Sequence, residues 1–398
     1  MSMPSNLRIR KPRLLYVSNT RLPTEKPHGL ALVKLCEAFA DIGLEVTVIA
    51  PKLWHGRKDD VFRAYDSKRN FSIITLPTID LIAVPFLRRW TFLFQMITFS
   101  LSAFIFLMFR VLRKGADEII FSHDYMPLWA LSFLKNPIFY DIHHFPGKNF
   151  MYRRVMRQAC GFSVQTKWKI AELQERFGIA KEKILYWPNG TDVEQFSIEM
   201  NMAEARAKLG IETKGPLVLY TGQLLPWKGV DTLVRTLEFL PEGISLYVVG
   251  GSVEDELRLR TQEVYGNDIR IQYVPPQPHT MMPVWMKAAD VLVLPNTGTQ
   301  KVSRYYTSPM KLFEYMASGR PIVASDIPSV REILDDSTAF FGAADNPRSF
   351  AEQIISALQD KERARAHTRA AHNLVSQYTW RERAERIAGY IQRILTKG

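Results

Sequence analysis

Apolar and polar positions along the chain alternate between two rhythms. Short, almost unbroken apolar runs of strand length are followed by stretches with helical spacing, the pattern of a parallel sheet covered by helices on both faces. Arg13 to Asn19 (RLLYVSN) predicts a buried strand, Gly29 opens a helix running to about Ile42, and Glu45 to Ala50 gives the next strand. Further strands are expected at Glu118–Asp124, Pro137–His143, Gly161–Thr166 and Ile184–Asn189. From Gln195 to Lys214 the pattern loosens into a polar stretch that reads as a connection between domains. A second alternation follows: strand Leu217–Gly222, helix Gly229–Phe239, strand Ile244–Gly250, helix Ser252–Tyr265, strand Ile269–Pro275, helix Pro283–Ala288 and strand Asp290–Pro295. Trp380 to Lys397 predicts a last amphipathic helix, long enough to reach back across the first domain. The expected fold is α/β with two Rossmann-like parallel-sheet domains, over 1–200 and 201–378, and a returning helix over 379–398.

The stretch Ser308-Pro309-Met310-Lys311-Leu312-Phe313-Glu314-Tyr315-Met316-Ala317-Ser318-Gly319 carries the first chemical hint. Ser308 suits a helix N-cap, Pro309 the first helical position, and Gly319 the helix end, after which a buried strand follows. Lys311 does not fit. A capping box would place Glu or Gln there, and the positive end of the helix dipole disfavours a cation by ~0.3–1 kcal/mol. An anion resting on the helix N-terminus removes the conflict, because exposed amides and Lys311 then share one negative partner. Glu314, one turn later on the same face, is placed to accept hydrogen bonds from hydroxyls attached to that anion. Phosphate plus ribose is the ligand this combination suggests; an ordinary αβ unit with a solvated Lys and Glu is the alternative.

Other candidates stand where strands end, since the carboxyl ends of parallel strands form the ligand crevice of such sheets. These are His123-Asp124 and His143-His144, each alternatively a satisfied structural pair. Lys228, in the run Gly222-Gln223-Leu224-Leu225-Pro226-Trp227-Lys228-Gly229, stands beside a helix start where it can neutralise phosphate. Gly29, after His28, sits where a loop gives way to a helix, so a ligand could approach its backbone closely. No G-x-G-x-x-G follows the first strand, which lowers a nicotinamide or flavin dinucleotide reading.

At 398 residues the chain suffices for two domains, and its composition is that of a folded globular protein. The formal net charge of +12 calls for a partner: nucleic acid, an anionic membrane surface or phosphorylated substrates. A clustered basic stripe interleaved with aromatics, the signature of nucleic-acid binding, is absent. Cys36 and Cys160 have no paired spacing, so neither a disulfide framework nor a Cys-based zinc site is expected, and a reducing compartment is. Met1 to Arg13 is polar and basic without an apolar core, so no signal peptide is expected.

Trp90 to Phe109 carries no charge and is flanked by Arg88-Arg89 and by Arg110, Arg113 and Lys114. Its length makes it a candidate span. Yet Thr91, Gln95, Thr98 and Ser102 recur on one face, and basic flanks at both ends give no orientation. The expectation is a helix packed on its sheet with surplus apolar surface turned to lipid or a partner.

Together these residues resemble a known family, the retaining GT-B glycosyltransferases of family four, also called glycosyl transferases group 1. The G-x-L-x-P-x-K-G run at Gly222–Gly229, the P-N-G-x-D turn at Pro188–Asp192 and the helix–strand pair at Lys311–Asp326 stand in the family's order. The resemblance implies the GT-B fold, two Rossmann-like domains facing across a cleft with the C-terminal helix crossing back. The first domain would bind the acceptor and the second the nucleotide sugar. It further implies that Lys228 binds the donor diphosphate, that Ser308, Pro309, Met310 and Lys311 present amides to it, and that Glu314 holds the ribose. His143 would lie beside the transferred sugar, Gly29 would let the first domain approach it, and the backbone near Val274 would meet the base. His28, His123, Asp124 and His144 are candidates on the acceptor side. Two positions depart from the family: Gln223 stands where an Arg is usual, and Tyr306 where the first of two paired glutamates stands.

The expected activity is transfer of a sugar, with retention, from a nucleotide diphosphate donor (UDP or GDP unresolved) to a lipid-linked or cell-surface glycan precursor. It would proceed without metal or cofactor, at the inner face of the membrane and with peripheral contact through 88–114. The alternatives are a sugar-nucleotide epimerase of similar build and a basic nucleic-acid-binding protein.

Overall fold

The computed structural model describes residues 12–24, 26–54, 59–80, 88–145, 147–212, 215–251 and 268–397. The chain forms two compact units. The first draws on Met1–Val164, Ile170–Trp187 and Arg383–Gly398, the second on Gln165–Lys169 and Pro188–Glu382.

The first unit holds a seven-stranded parallel sheet of order β3-β2-β1-β4-β5-β6-β7. Its strands are β1 (Arg13–Val17), β2 (Glu45–Pro51), β3 (Ser72–Leu76), β4 (Ile119–Ser122), β5 (Ile138–Ile142), β6 (Gly161–Val164) and β7 (Ile184–Tyr186). The order reverses between β1 and β4, which makes the loops after these two strands the switch point where ligands bind in open α/β sheets. The expected strand to Asn19 stops at Val17 because Ser18 and Thr20 hydrogen-bond to each other in the loop. The helix expected from Gly29 starts two residues earlier, at Pro27, whose fixed φ suits the first helical position.

The second unit holds a six-stranded parallel sheet of order β10-β9-β8-β11-β12-β13. Its strands are β8 (Leu217–Thr221), β9 (Ser245–Val249), β10 (Ile271–Val274), β11 (Val291–Leu294), β12 (Ile322–Ser325) and β13 (Phe340–Gly342). Alternate residues feed opposite faces. Leu217, Leu219, Leu292 and Leu294 join one apolar core, while Val218, Tyr220, Val291 and Val293 join the other. Helices cover both faces, so the strands are apolar throughout rather than alternating. The reversal between β8 and β11 again marks a switch point.

Two expectations for this unit change. The polar stretch Gln195–Lys214 contains the helix Met202–Leu209, started by a reciprocal capping box between Asn201 and Glu204 and ended by Gly210 at φ +67°. Its Ala205 packs on Val284 and Ala288. The helix expected over Gly229–Phe239 is shorter, Val230–Arg235, and tightens into a 3₁₀ turn at Thr236–Glu238, where the Thr236 hydroxyl bonds back to the Leu233 carbonyl. The expected helix Ser252–Tyr265 lies outside the described residues.

The apolar segment lies in the helix Arg88–Lys114 of the first unit, long and apolar enough by length and composition to cross a membrane. Its polar residues face the protein. Thr91 and Gln95 are buried, the Thr98 hydroxyl accepts from the Ile79 amide at 3.2 Å, and Ser102 donates to the Pro77 carbonyl at 2.6 Å. Phe99, Ala103 and Leu107 complete the inner face. Phe94, Ile97, Leu101, Ile105, Phe109 and Leu112, spaced at three and four residues, stand exposed on the outer face. Thus the polar stripe seats the helix, and the surplus apolar surface points outward.

Candidate active site

In the second unit, the loops after β8 and β11 are locked together. Gly222 (φ +124°) turns the chain out of β8, and a 3₁₀ turn over Pro226–Lys228 ends at Gly229, at φ +67°. A Cβ on Gly229 would lie 1.9 Å from the Pro295 carbonyl oxygen, so no other residue allows this approach. The Thr297 amide donates to the Trp227 carbonyl at 3.3 Å. This geometry sets Lys228 at the switch point, its Nζ 3.9 Å from the centre of the Trp227 ring.

The helix Met310–Ala317 enters the same region, held to the end of β8 by the Thr221 amide donating to the Tyr315 hydroxyl at 2.9 Å. Pro309, not Ser308, occupies the N-cap. The Ser308 hydroxyl is unavailable for capping because it accepts from the Asn189 amide at 3.1 Å, while the Ser308 carbonyl accepts from Asn189 Nδ2 at 2.8 Å. The Pro188–Asp192 turn therefore braces the start of this helix. Met310 and Lys311 form its first turn.

Lys311 is 9% exposed, and its Nζ lies 3.6 Å from the centre of the Tyr220 ring with no hydrogen-bond partner. A Cβ on Gly222 would come within 3.4 Å of this ammonium. Burial first, then the charge of Lys228, drive the Lys311 ammonium far below its ordinary range, with Glu314 opposing. Burial likewise lowers Lys228 to about 7. Among the described residues neither lysine forms an ion pair with a carboxylate. A buried amine depressed by burial and by a neighbouring lysine gains stability as a cation when an anion joins it.

Glu314, largely buried, accepts a hydrogen bond from Nε2 of His279 at 3.0 Å. His279 comes from the 3₁₀ turn His279–Met281 and had no sequence signal beyond its identity. Three candidates have partners of their own. The Val274 carbonyl accepts from the Gly250 amide at 2.9 Å, and the Gln223 carbonyl from the Tyr220 hydroxyl at 2.7 Å. Tyr306 ends a π-turn and lies over Trp168, ring centres 4.5 Å apart.

In the first unit, His28, His123, Asp124 and His143 come together near the switch point, close enough for the charges of the other three to act on His28. His143 follows β5, and its Nε2 lies 2.8 Å from Oδ2 of Asp141. The two rings His143 and His123 stack at 5.1 Å. Burial outweighs Asp141 and lowers His143 to about 4, so the imidazole is neutral at neutral pH. His123 is held at both nitrogens, by the Tyr16 hydroxyl at 2.9 Å and by Ser18 Oγ at 3.2 Å, and Asp124 accepts from Ser18 Oγ and the Asn19 amide. This pair braces the β1 and β4 loops. His144 is exposed. Gly29 lies inside the first helical turn, where a Cβ would fall 2.4 Å from the Tyr65 hydroxyl, so a packed tyrosine explains it without a ligand. Among the described residues no group of three or more His, Cys, Asp or Glu side chains is arranged to hold a metal ion.

Two family models match the chain, one described as Glycosyl transferases group 1 over residues 201–374 and one as Glycosyltransferase Family 4 over residues 30–195. The chain belongs to this family of GT-B glycosyltransferases. It is 25% identical to a D-inositol 3-phosphate glycosyltransferase of Xylanimonas cellulosilytica over 61% of this chain and 59% of that protein. It is 23% identical to a phosphatidyl-myo-inositol mannosyltransferase of Mycobacterium leprae over 73% of this chain and 77% of that protein. The chain spans between 52% and 59% of the length of the first three curated relatives it matches. Among solved structures, sucrose-phosphate synthase from Thermosynechococcus elongatus superposes with a TM-score of 0.79, covering 98% of this chain and 100% of that one at 19% identity.

Proposed function

We propose that this chain is a retaining glycosyltransferase that moves a sugar from a nucleotide diphosphate donor to a lipid-linked or cell-surface glycan precursor. The observation that carries the reading is the unpartnered ammonium of Lys311 beside Lys228, at the start of a helix and at a sheet switch point. Such a pair suits a diphosphate. In the reaction the bond from the sugar's anomeric carbon to the phosphate oxygen breaks, and the diphosphate leaves with the electron pair. Lys228, Lys311 and the first-turn amides stabilise that growing charge by preorganised electrostatics, which requires no metal. The acceptor hydroxyl bonds to the anomeric carbon on the same face and yields its proton to the departing phosphate oxygen. Glu314, steadied by His279, takes the ribose hydroxyls, and neutral His143 positions the sugar.

The outer face of the helix Arg88–Lys114 supports a lipid-linked acceptor. An apolar stripe with exposed Arg113 near its end suits an anionic lipid surface, where each basic residue contributes about 1 kcal/mol. The similarity to a protein named for phosphatidyl-myo-inositol points the same way. Free Cys36 and Cys160 agree with a cytoplasmic location at the inner membrane face. The test is release of nucleoside diphosphate from a panel of nucleotide sugars, with and without lipid acceptors. Release that depends on acceptor supports transfer; sugar isomerisation without acceptor would instead make the chain an epimerase.

A further inference from the structure

The last helix, Trp380–Lys397, sends Arg383 into the core of the first unit, where it is 1% exposed. Burying a guanidinium this deeply is costly unless it is fully engaged. Its Nη2 lies 3.1 Å and 3.0 Å from the two carboxylate oxygens of Asp141, and its Nη1 donates to the Trp187 carbonyl at 2.7 Å. Asp141 is fully buried at the end of β5 and also accepts from the Ser163 hydroxyl. Nε2 of His143 also approaches Oδ2, at 2.8 Å. Burial alone would raise the Asp141 carboxyl, but Arg383, then His143 and Ser163, hold it well below the usual range, so it stays ionised. An ionised carboxylate can only accept, so Nε2 of His143 carries the proton and Nδ1 the lone pair.

We propose that Arg383 is a positioning residue for His143: by clamping Asp141 it fixes the tautomer and orientation of the imidazole. Among the described residues, the charged and titratable groups acting on His143 include Asp141 near the end of β5, His123 from the end of β4, His28 from the helix Pro27–Asp41, and Arg383. Arg383 and His123 disfavour the imidazolium and Asp141 favours it. Without the guanidinium, the Asp141–His143 pair binds a proton at higher pH. The consequence for catalysis rests on the role proposed above for His143, but the effect on the ring does not.

The experiment is an NMR titration of ¹⁵N-histidine-labelled protein, with His143 assigned by His143→Gln, on wild type, Arg383→Met and Arg383→Lys. Wild-type His143 should hold the Nε2–H tautomer down to about 4. Arg383→Met should mix the tautomers or move the titration upward, and Arg383→Lys, which keeps the charge, should restore most of the wild-type curve. In parallel, Arg383→Met should lower kcat on the order of 10²-fold, the scale for a displaced reacting group, with unchanged affinity for nucleoside diphosphate. An unaltered His143 titration in Arg383→Met overturns the proposal; if that variant does not fold, Arg383→Gln, which also removes the charge, takes its place, with a raised titration or mixed tautomers supporting the proposal and an unaltered His143 overturning it. If the ring responds as expected but His143→Ala turns over normally, the clamp stands and the role given to His143 fails.

Discussion

The Lys311 ammonium rests 3.6 Å from the centre of the Tyr220 ring, and no acceptor reaches it. A cation held against an aromatic face gains on the order of 1 kcal/mol, far less than a buried charge loses on leaving water. Lys311→Met should therefore leave the ligand-free protein as stable as wild type or about 1 kcal/mol more stable, while cutting nucleoside diphosphate affinity. Thermal unfolding with and without ligand reads both. A variant that unfolds earlier yet binds normally would make Lys311 a structural residue.

Lys228 gives the pH dependence. Its folded value of about 7 lies below the ordinary 10.5, so the unfolded chain binds more protons between these values. Ligand-free stability accordingly rises as pH climbs from about 7 to 10.5, and below 7 the full cost of the buried ammonium remains. On the proposed function, diphosphate binding should restore the charge. Calorimetry at about pH 8 in buffers of differing ionisation heat should show proton uptake on binding, lost in Lys228→Met. Equal heats in all buffers would put Lys228 away from the anion.

Glu314 and His279 should separate the nucleoside from the phosphates. Glu314→Ala is expected to raise the donor KM far more than it weakens inorganic pyrophosphate, because only the ribose contact is lost. His279→Ala should act in the same direction, more weakly, since it leaves the carboxylate in place. Equal losses for donor and pyrophosphate would remove Glu314 from the ribose.

Gly229→Ala tests the lock between the loops after β8 and β11. A left-handed φ of +67° combined with a Cβ 1.9 Å from the Pro295 oxygen should cost at least ~1–3 kcal/mol and reduce diphosphate affinity with it. A wild-type melting temperature would show that the loops move apart freely.

The outer face of Arg88–Lys114 should carry the protein onto anionic vesicles in flotation. Leu101→Glu with Ile105→Glu, both exposed, should abolish most recovery without changing the melting temperature by more than a degree or two, on the order expected for surface sites. Wild type left at the bottom with anionic and neutral vesicles alike would end the membrane reading.

The α/β class and its two parallel sheets were legible in the chain alone, because strands buried on both faces must be continuously apolar and this local signal survives without knowledge of partners. The sequence also singled out Lys311, since a cation in the first turn of a helix conflicts with the dipole wherever that helix sits. The helix N-cap expected at Ser308 falls instead at Pro309, the Ser308 hydroxyl being claimed by Asn189, 119 residues away in the chain. His279 beside Glu314 and Arg383 beside Asp141 left no local trace, because contacts over 35 and 242 residues exist only once the sheets and the last helix have assembled. The direction of the polar face on Arg88–Lys114 was decided the same way: periodicity separates two faces of a helix, but the Pro77 carbonyl and Ile79 amide waiting beside it made the polar one the inside.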